Sequence, residues 1–119
     1  MIDLETIRQH CLRKPGTITE DFPFDDEVLV FRIFGKIFLL TNVTVFPVRI
    51  NVKCEPERAV ELRERYDAVT PGFHMHKRTW NTVVIDGSVP ERVVYEMIDH
   101  SYDQVKSTLP KTILKKYFP

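Results

Sequence analysis

Two apolar, β-branched and aromatic runs, residues 28–34 and 37–40, broken by Arg32 and by Gly35-Lys36, constrain the fold of this chain more than any other feature. Residues 28–34, short and rich in β-branched and aromatic side chains, predict a β-strand, which places Leu29, Phe31 and Ile33 on one side and Val28, Val30, Arg32 and Phe34 on the other. Gly35-Lys36 predicts a tight turn into a second strand over residues 37–41. A third run, residues 47–53, sets Val48, Ile50 and Val52 against Arg49, Asn51 and Lys53, and a slip of one residue would exchange the two sets. Three consecutive strands with short connections predict an antiparallel sheet.

The flanking segments read as helices and turns. Ile2, Leu4, Ile7, Cys11 and Leu12 make a helical stripe over residues 2–13 that stops before Pro15-Gly16. Residues 17–26, with Pro23 and the acids Glu20, Asp21, Asp25 and Asp26, predict an acidic loop anchored in the core by Phe22 and Phe24. Pro56 suits a first helical turn, and Ala59, Leu62 and Tyr66 follow at helical spacing, so residues 55–66 predict an exposed amphipathic helix. A loop from the Pro71-Gly72 turn leads to a strand over residues 80–85. Beyond the Asp86-Gly87 turn, Ser88 and Glu91 form the S-x-x-E pattern of a capping box. Val94, Met97, Ile98, Ser101 and Val105 then carry a helix to about residue 106, before Pro110 interrupts. The order is helix, three strands, helix, one or two strands, helix. It predicts an α+β two-layer sandwich, an antiparallel sheet with helices on one face and Arg32, Phe34, Arg49, Asn51 and Lys53 pointing outward from the other.

The 119 residues match one domain, since two cores would leave each half near the lower limit of independent stability. No apolar run reaches the roughly 18 residues a membrane span needs, and the acidic start Met1-Ile2-Asp3-Leu4-Glu5 lacks a secretory signal, so the cytoplasm is expected. Cys11 and Cys54, without CxxC spacing, are expected to be buried unpaired thiols. Seventeen basic residues balance seventeen acidic ones, yet residues 32–53 carry Arg32, Lys36, Arg49 and Lys53 with no acid. Segregation of this kind can give a neutral chain a basic face.

Six ordered blocks carry a family likeness: Pro23-Phe24-Asp25, Gly35-Lys36-Ile37-Phe38, Asn51-Val52-Lys53-Cys54-Glu55-Pro56, Pro71-Gly72-Phe73-His74-Met75, Lys77 with Trp80-Asn81-Thr82-Val83, and His100-Ser101-Tyr102. On these the chain resembles the YjbR (MmcQ) family over roughly residues 15–110. The resemblance implies a secretion-chaperone-like or frataxin-like (CyaY-like) fold of order α-β(3)-α-β(2)-α, and DNA binding as function. It brings no catalytic residues. The chain departs from the family pattern at His76, where Asn is usual, and at Thr79, where His is usual.

The chemistry of single residues points the same way. His74-Met75-His76 offers two imidazoles, but no third ligand stands at a diagnostic spacing, so no metal is expected. His100 and Ser101 are helix neighbours that point in different directions, and Cys11, Cys54 and Ser101 lie in no nucleophile signature. GxGxxG, GxxxxGK[ST] and HExxH are absent, so a non-enzymatic protein without cofactor is expected. Arg32, Arg49 and Lys53 on adjacent strands, with His74, His76, Lys77, Arg78 and Trp80 from the neighbouring loop and strand, form a candidate nucleic-acid-binding surface of cations for phosphates and a ring for stacking. The expected partner is double-stranded DNA. The alternative is a protein partner or chaperone-like role on the open sheet face, the chain itself being a monomer or weak homodimer.

Overall fold

The computed structural model describes residues 2–119. Asp3 opens the first helix, α1 (Leu4–Leu12), with a reciprocal cap: its carboxylate accepts the Thr6 N–H while Thr6 Oγ1 accepts the Asp3 N–H. The remaining elements are β1 (Ile18–Asp21), β2 (Val28–Ile33), β3 (Lys36–Asn42), β4 (Arg49–Lys53), α2 (Pro56–Arg65), β5 (Val69–Pro71), β6 (Trp80–Val84), α3 (Glu91–Lys106) and α4 (Lys111–Tyr117). The strands form one sheet in the order β1-β2-β3-β4-β6-β5, and every pairing is antiparallel.

The period-two pattern sorts β2 and β4 as expected, whereas in β3 the adjacent Phe38 and Leu39 are both buried in the core, where the pairing with β2 shifts register. Leu29, Phe31 and Ile33 of β2, Leu39 of β3, Ile50 and Val52 of β4 and Val83 of β6 join Ile7 and Cys11 of α1 and Val94, Met97 and Ile98 of α3 in one buried cluster. The architecture is α+β, with helices packed on the sheet. Cys11 and Cys54 are buried and unpaired. Among the described residues, no helix is long and apolar enough to cross a membrane.

Two elements join the expected order. Residues 18–21 pair with β2 as an edge strand, Ile18 opposite Ile33 and Glu20 opposite Phe31. Glu20 faces the helices, where Arg8 of α1 binds its carboxylate at 2.9 Å, so a polar sequence becomes a strand through tertiary partners. Helix α3 already ends at Lys106, and Pro110 is the N-cap of α4, which sets Ile113 and Leu114, with the following Phe118, against the core.

Four local expectations are corrected. Phe22 and Phe24 are not core anchors; they are 45% and 66% exposed, because Asp25 accepts the Glu27 and Val28 N–H groups and holds this loop as a polar turn in solvent. Phe34 is not an outward strand residue. It takes φ 46 beside Gly35 at φ 82, the left-handed pair that a two-residue hairpin turn requires, and its ring lies 4.8 Å from Tyr117. Ser88 does not cap α3, because its N–H and hydroxyl bind Asp86 Oδ1, and Pro90 stands at the N-cap without a side-chain bond. Nor is the outer sheet face bare. Val30 and Leu40, opposite each other across β2 and β3, are buried there outside the helix-packed cluster, with the Asp21–Arg32 ion pair running alongside Val30.

Candidate nucleic-acid interface

The expected site residues lie on two strands, a third strand beyond β3 and a loop. Lys53 faces Trp80 across β4 and β6, both half-buried, and two steps along the ladder Asn51 faces Thr82. Thr82 Oγ1 donates to Asn51 Oδ1 at 2.5 Å and accepts the Phe73 N–H at 2.9 Å, so the loop over residues 72–79 is tied to the outer face at its root. Gly72 makes that seating possible: a Cβ there would stand 2.8 Å from Trp80 Cβ and 3.0 Å from the Trp80 carbonyl oxygen.

The far side of the loop is held by a residue the motifs did not single out. Arg63 of α2 donates from Nε to Asn81 Oδ1 at 2.7 Å, and from Nη2 to the carbonyls of Lys77 and Trp80. A planar guanidinium can reach all three because its donors diverge in one plane. The signal for it lay in the spacing: Arg63 stands four residues after the fully buried Ala59, hence on the same inward helical face. Asn81, itself buried opposite Val52, completes the link by donating to the Ala59 carbonyl at 3.4 Å.

The sequence-predicted residues fall into three groups. Lys53, Trp80 and the loop residues His74, His76, Lys77 and Arg78 come together around one end of the β4–β6 ladder. Within the loop, His74 takes φ 56 with its ring 4.0 Å from that of the 66%-exposed Phe73, and His76 Nδ1 lies 3.4 Å from Thr79 Oγ1. Lys77 Nζ donates to the Gly72 carbonyl, and Lys77 and Arg78 line a groove whose opposite wall on α2 includes Glu57 and Glu61, which offset part of their charge. Arg49 stands apart, four residues along β4 from Lys53, or about 13 Å at the usual strand rise. Arg32 is on β2, not on a strand adjacent to β4, and its Nε binds Asp21 at 3.0 Å, which neutralises it.

The His100-Ser101-Tyr102 block has an architectural role near this end. Ser101, fully buried on α3, donates to the Phe38 carbonyl at 2.5 Å and accepts the Lys53 N–H at 2.8 Å, joining β3 to β4 where their direct pairing has ended. Tyr102 donates to the Pro15 carbonyl at 2.5 Å, and His100 Nε2 accepts the Glu55 N–H at 3.1 Å. Burial, aided by the nearby Arg58, lowers the His100 pKa and keeps its ring in the neutral form this bond needs.

These features define a class, an α+β domain whose sheet carries helices on one face and a tethered cationic, aromatic loop at one end. The YjbR family model matches residues 12–104, and the chain belongs to the YjbR family. It is 32% identical over 115 residues to the uncharacterised protein YbdF of Escherichia coli O157:H7, covering 97% of this chain and 93% of that one. To the uncharacterised protein YjbR of Escherichia coli K12 it is 29% identical over 108 residues, 91% of each chain. The crystal structure of Deinococcus radiodurans protein DR2400 superposes with a TM-score of 0.92 at 36% identity, over 98% of this chain and 88% of that one.

Proposed function

We propose that this chain is a non-catalytic nucleic-acid-binding protein, and that Lys53, Trp80 and the loop over residues 72–79 form the binding surface. The observation that carries this reading is the Lys53–Trp80 pair at the foot of a loop that exposes Phe73, His74, His76 and Arg78. Ammonium and guanidinium groups bind phosphates, and exposed rings supply stacking. Arg49 adds a peripheral cation. Arg32 contributes little, because Asp21 already occupies it.

A binding role fits the state of the reactive groups. Burial pushes the Cys11 thiol up to about 12 and the Cys54 thiol up to about 11, so both stay protonated and non-nucleophilic near neutrality. Ser101 already donates its proton to Phe38 and accepts the Lys53 N–H. The rival role, a protein partner on the outer sheet face, loses its apolar footing there, since Val30 and Leu40 are already buried.

The test is titration of duplex and single-stranded DNA against the parent and the Lys53→Ala/Arg78→Ala variant over a salt series. Removing one phosphate-binding cation should lower the slope of log affinity against log salt by about one. A parent that binds neither form in low salt, or a folded variant that binds as tightly as the parent, overturns the reading.

A further inference from the structure

At the opposite end of the β4–β6 ladder, a cleft of about 660 Å³ opens between the segment preceding β4, the end of β6 and the start of α3. Pro47, Val48, Ile85, Val89 and Val94 form apolar walls, and Phe46 stands at its rim, 91% exposed. An aromatic ring is among the most favourable groups to bury, and here one stands in water beside an apolar hollow. The rim is acidic: Asp3, Asp86 and Glu91 line it, and among the described residues no Lys, Arg or His does. Asp3 and Asp86 hydrogen-bond to the neutral donors of Thr6 and Ser88, so their charges are not cancelled. Arg49, opposite Val84 on the neighbouring strand, does not line the cleft.

We infer that this cleft docks an extended segment of a partner protein in which an apolar side chain sits between lysines or arginines. Charge chooses among occupants. Nucleic acid would bring phosphates against the carboxylates of Asp3 and Asp86. A second copy related by a two-fold axis through the cleft would bring Asp3 and Asp86 against their own kind. A basic segment with an apolar anchor meets both features, its side chain entering the hollow against Phe46 and its cations meeting the rim.

The experiment measures fluorescence anisotropy of a short fluorescein-labelled peptide of alternating lysine and leucine titrated with the full chain. Peptides of lysine with serine and of glutamate with leucine serve as comparisons. The lysine–leucine peptide should bind saturably, each comparison peptide about tenfold more weakly or worse, and Phe46→Ala should weaken binding about tenfold, as removal of an aromatic anchor does. Asp86→Lys should weaken it as well and flatten its salt dependence. Phe46 is almost fully exposed, so its replacement leaves the fold intact, which an unchanged circular dichroism spectrum will register. Equal binding by the Phe46→Ala variant, or by the glutamate–leucine peptide, overturns the inference. So does sedimentation showing a dimer that Phe46→Ala dissolves, because the cleft would then belong to a second copy.

Discussion

Lys53 faces Trp80 at one end of the β4–β6 ladder and Arg49 faces Val84 at the other, and the two ends are built on different principles. At the Lys53 end, polar side chains from two helices are committed to backbone groups: Ser101 to Phe38 and Lys53, Arg63 to Lys77 and Trp80, His100 to Glu55. At the cleft end, the carboxylates of Asp3 and Asp86 bind their own turns, and the walls are apolar. The loop over residues 72–79 needs a polar framework behind it, because loop backbone has no ladder of its own to satisfy it. A hollow that takes an apolar anchor needs only shape and a charged rim.

The strongest way to break this contrast is Ser101→Val. It leaves the Phe38 carbonyl and the Lys53 N–H without their partner in a dry site, at about 3 kcal/mol together. Urea denaturation should show that destabilisation, and hydrogen exchange should rise at Lys53 while the amides lining the cleft stay protected. A change below about 1 kcal/mol would mean that the hydroxyl does not join the strands in any energetic sense. Next in size, Arg63→Ala should cost about 2 kcal/mol, a charged donor being worth more than a neutral one. It should also raise exchange across residues 73–79. Arg63→Lys should not rescue it, since one ammonium cannot span Asn81, Lys77 and Trp80 at once.

A smaller effect concerns pH. The folded His100 pKa lies below its ordinary 6.5, so as pH falls through that value the unfolded chain takes up the proton first. Stability that is complete above 6.5 is therefore lost progressively from there down through the folded pKa. His100→Gln, whose amide oxygen can still accept the Glu55 N–H, should flatten this part of a melting-temperature profile; an unchanged profile would assign the dependence to other groups. The smallest effects are expected from Phe46→Ala and Arg32→Ala. The first should leave stability within about 0.5 kcal/mol, and the second should leave DNA affinity nearly unchanged, because its charge is already paired. A clear drop in DNA affinity in Arg32→Ala would restore the wide basic face that alternation alone suggests.

Sequence patterning determined β2, β3, β4 and β6, helices α1 to α3, and the two faces of β2 and β4, because burial on one side of a pleated sheet enforces alternation; in β3 the adjacent Phe38 and Leu39 are both buried in the core. The family blocks also stood in the sequence, and they led to the membership that the family model shows. Tertiary structure alone decided the rest. Residues 18–21 become a strand only because β2 offers an edge and Arg8 offers Glu20 a partner. Phe34 leaves its face because the hairpin turn claims it, and Arg32 has its charge neutralised by Asp21, its neighbour only once the sheet has formed. The cleft beside Phe46 unites residues from the N-terminus, the segment before β4 and the start of α3. No local pattern encodes such a meeting, because side chains far apart in sequence acquire a common surface only when the sheet and its helices have packed.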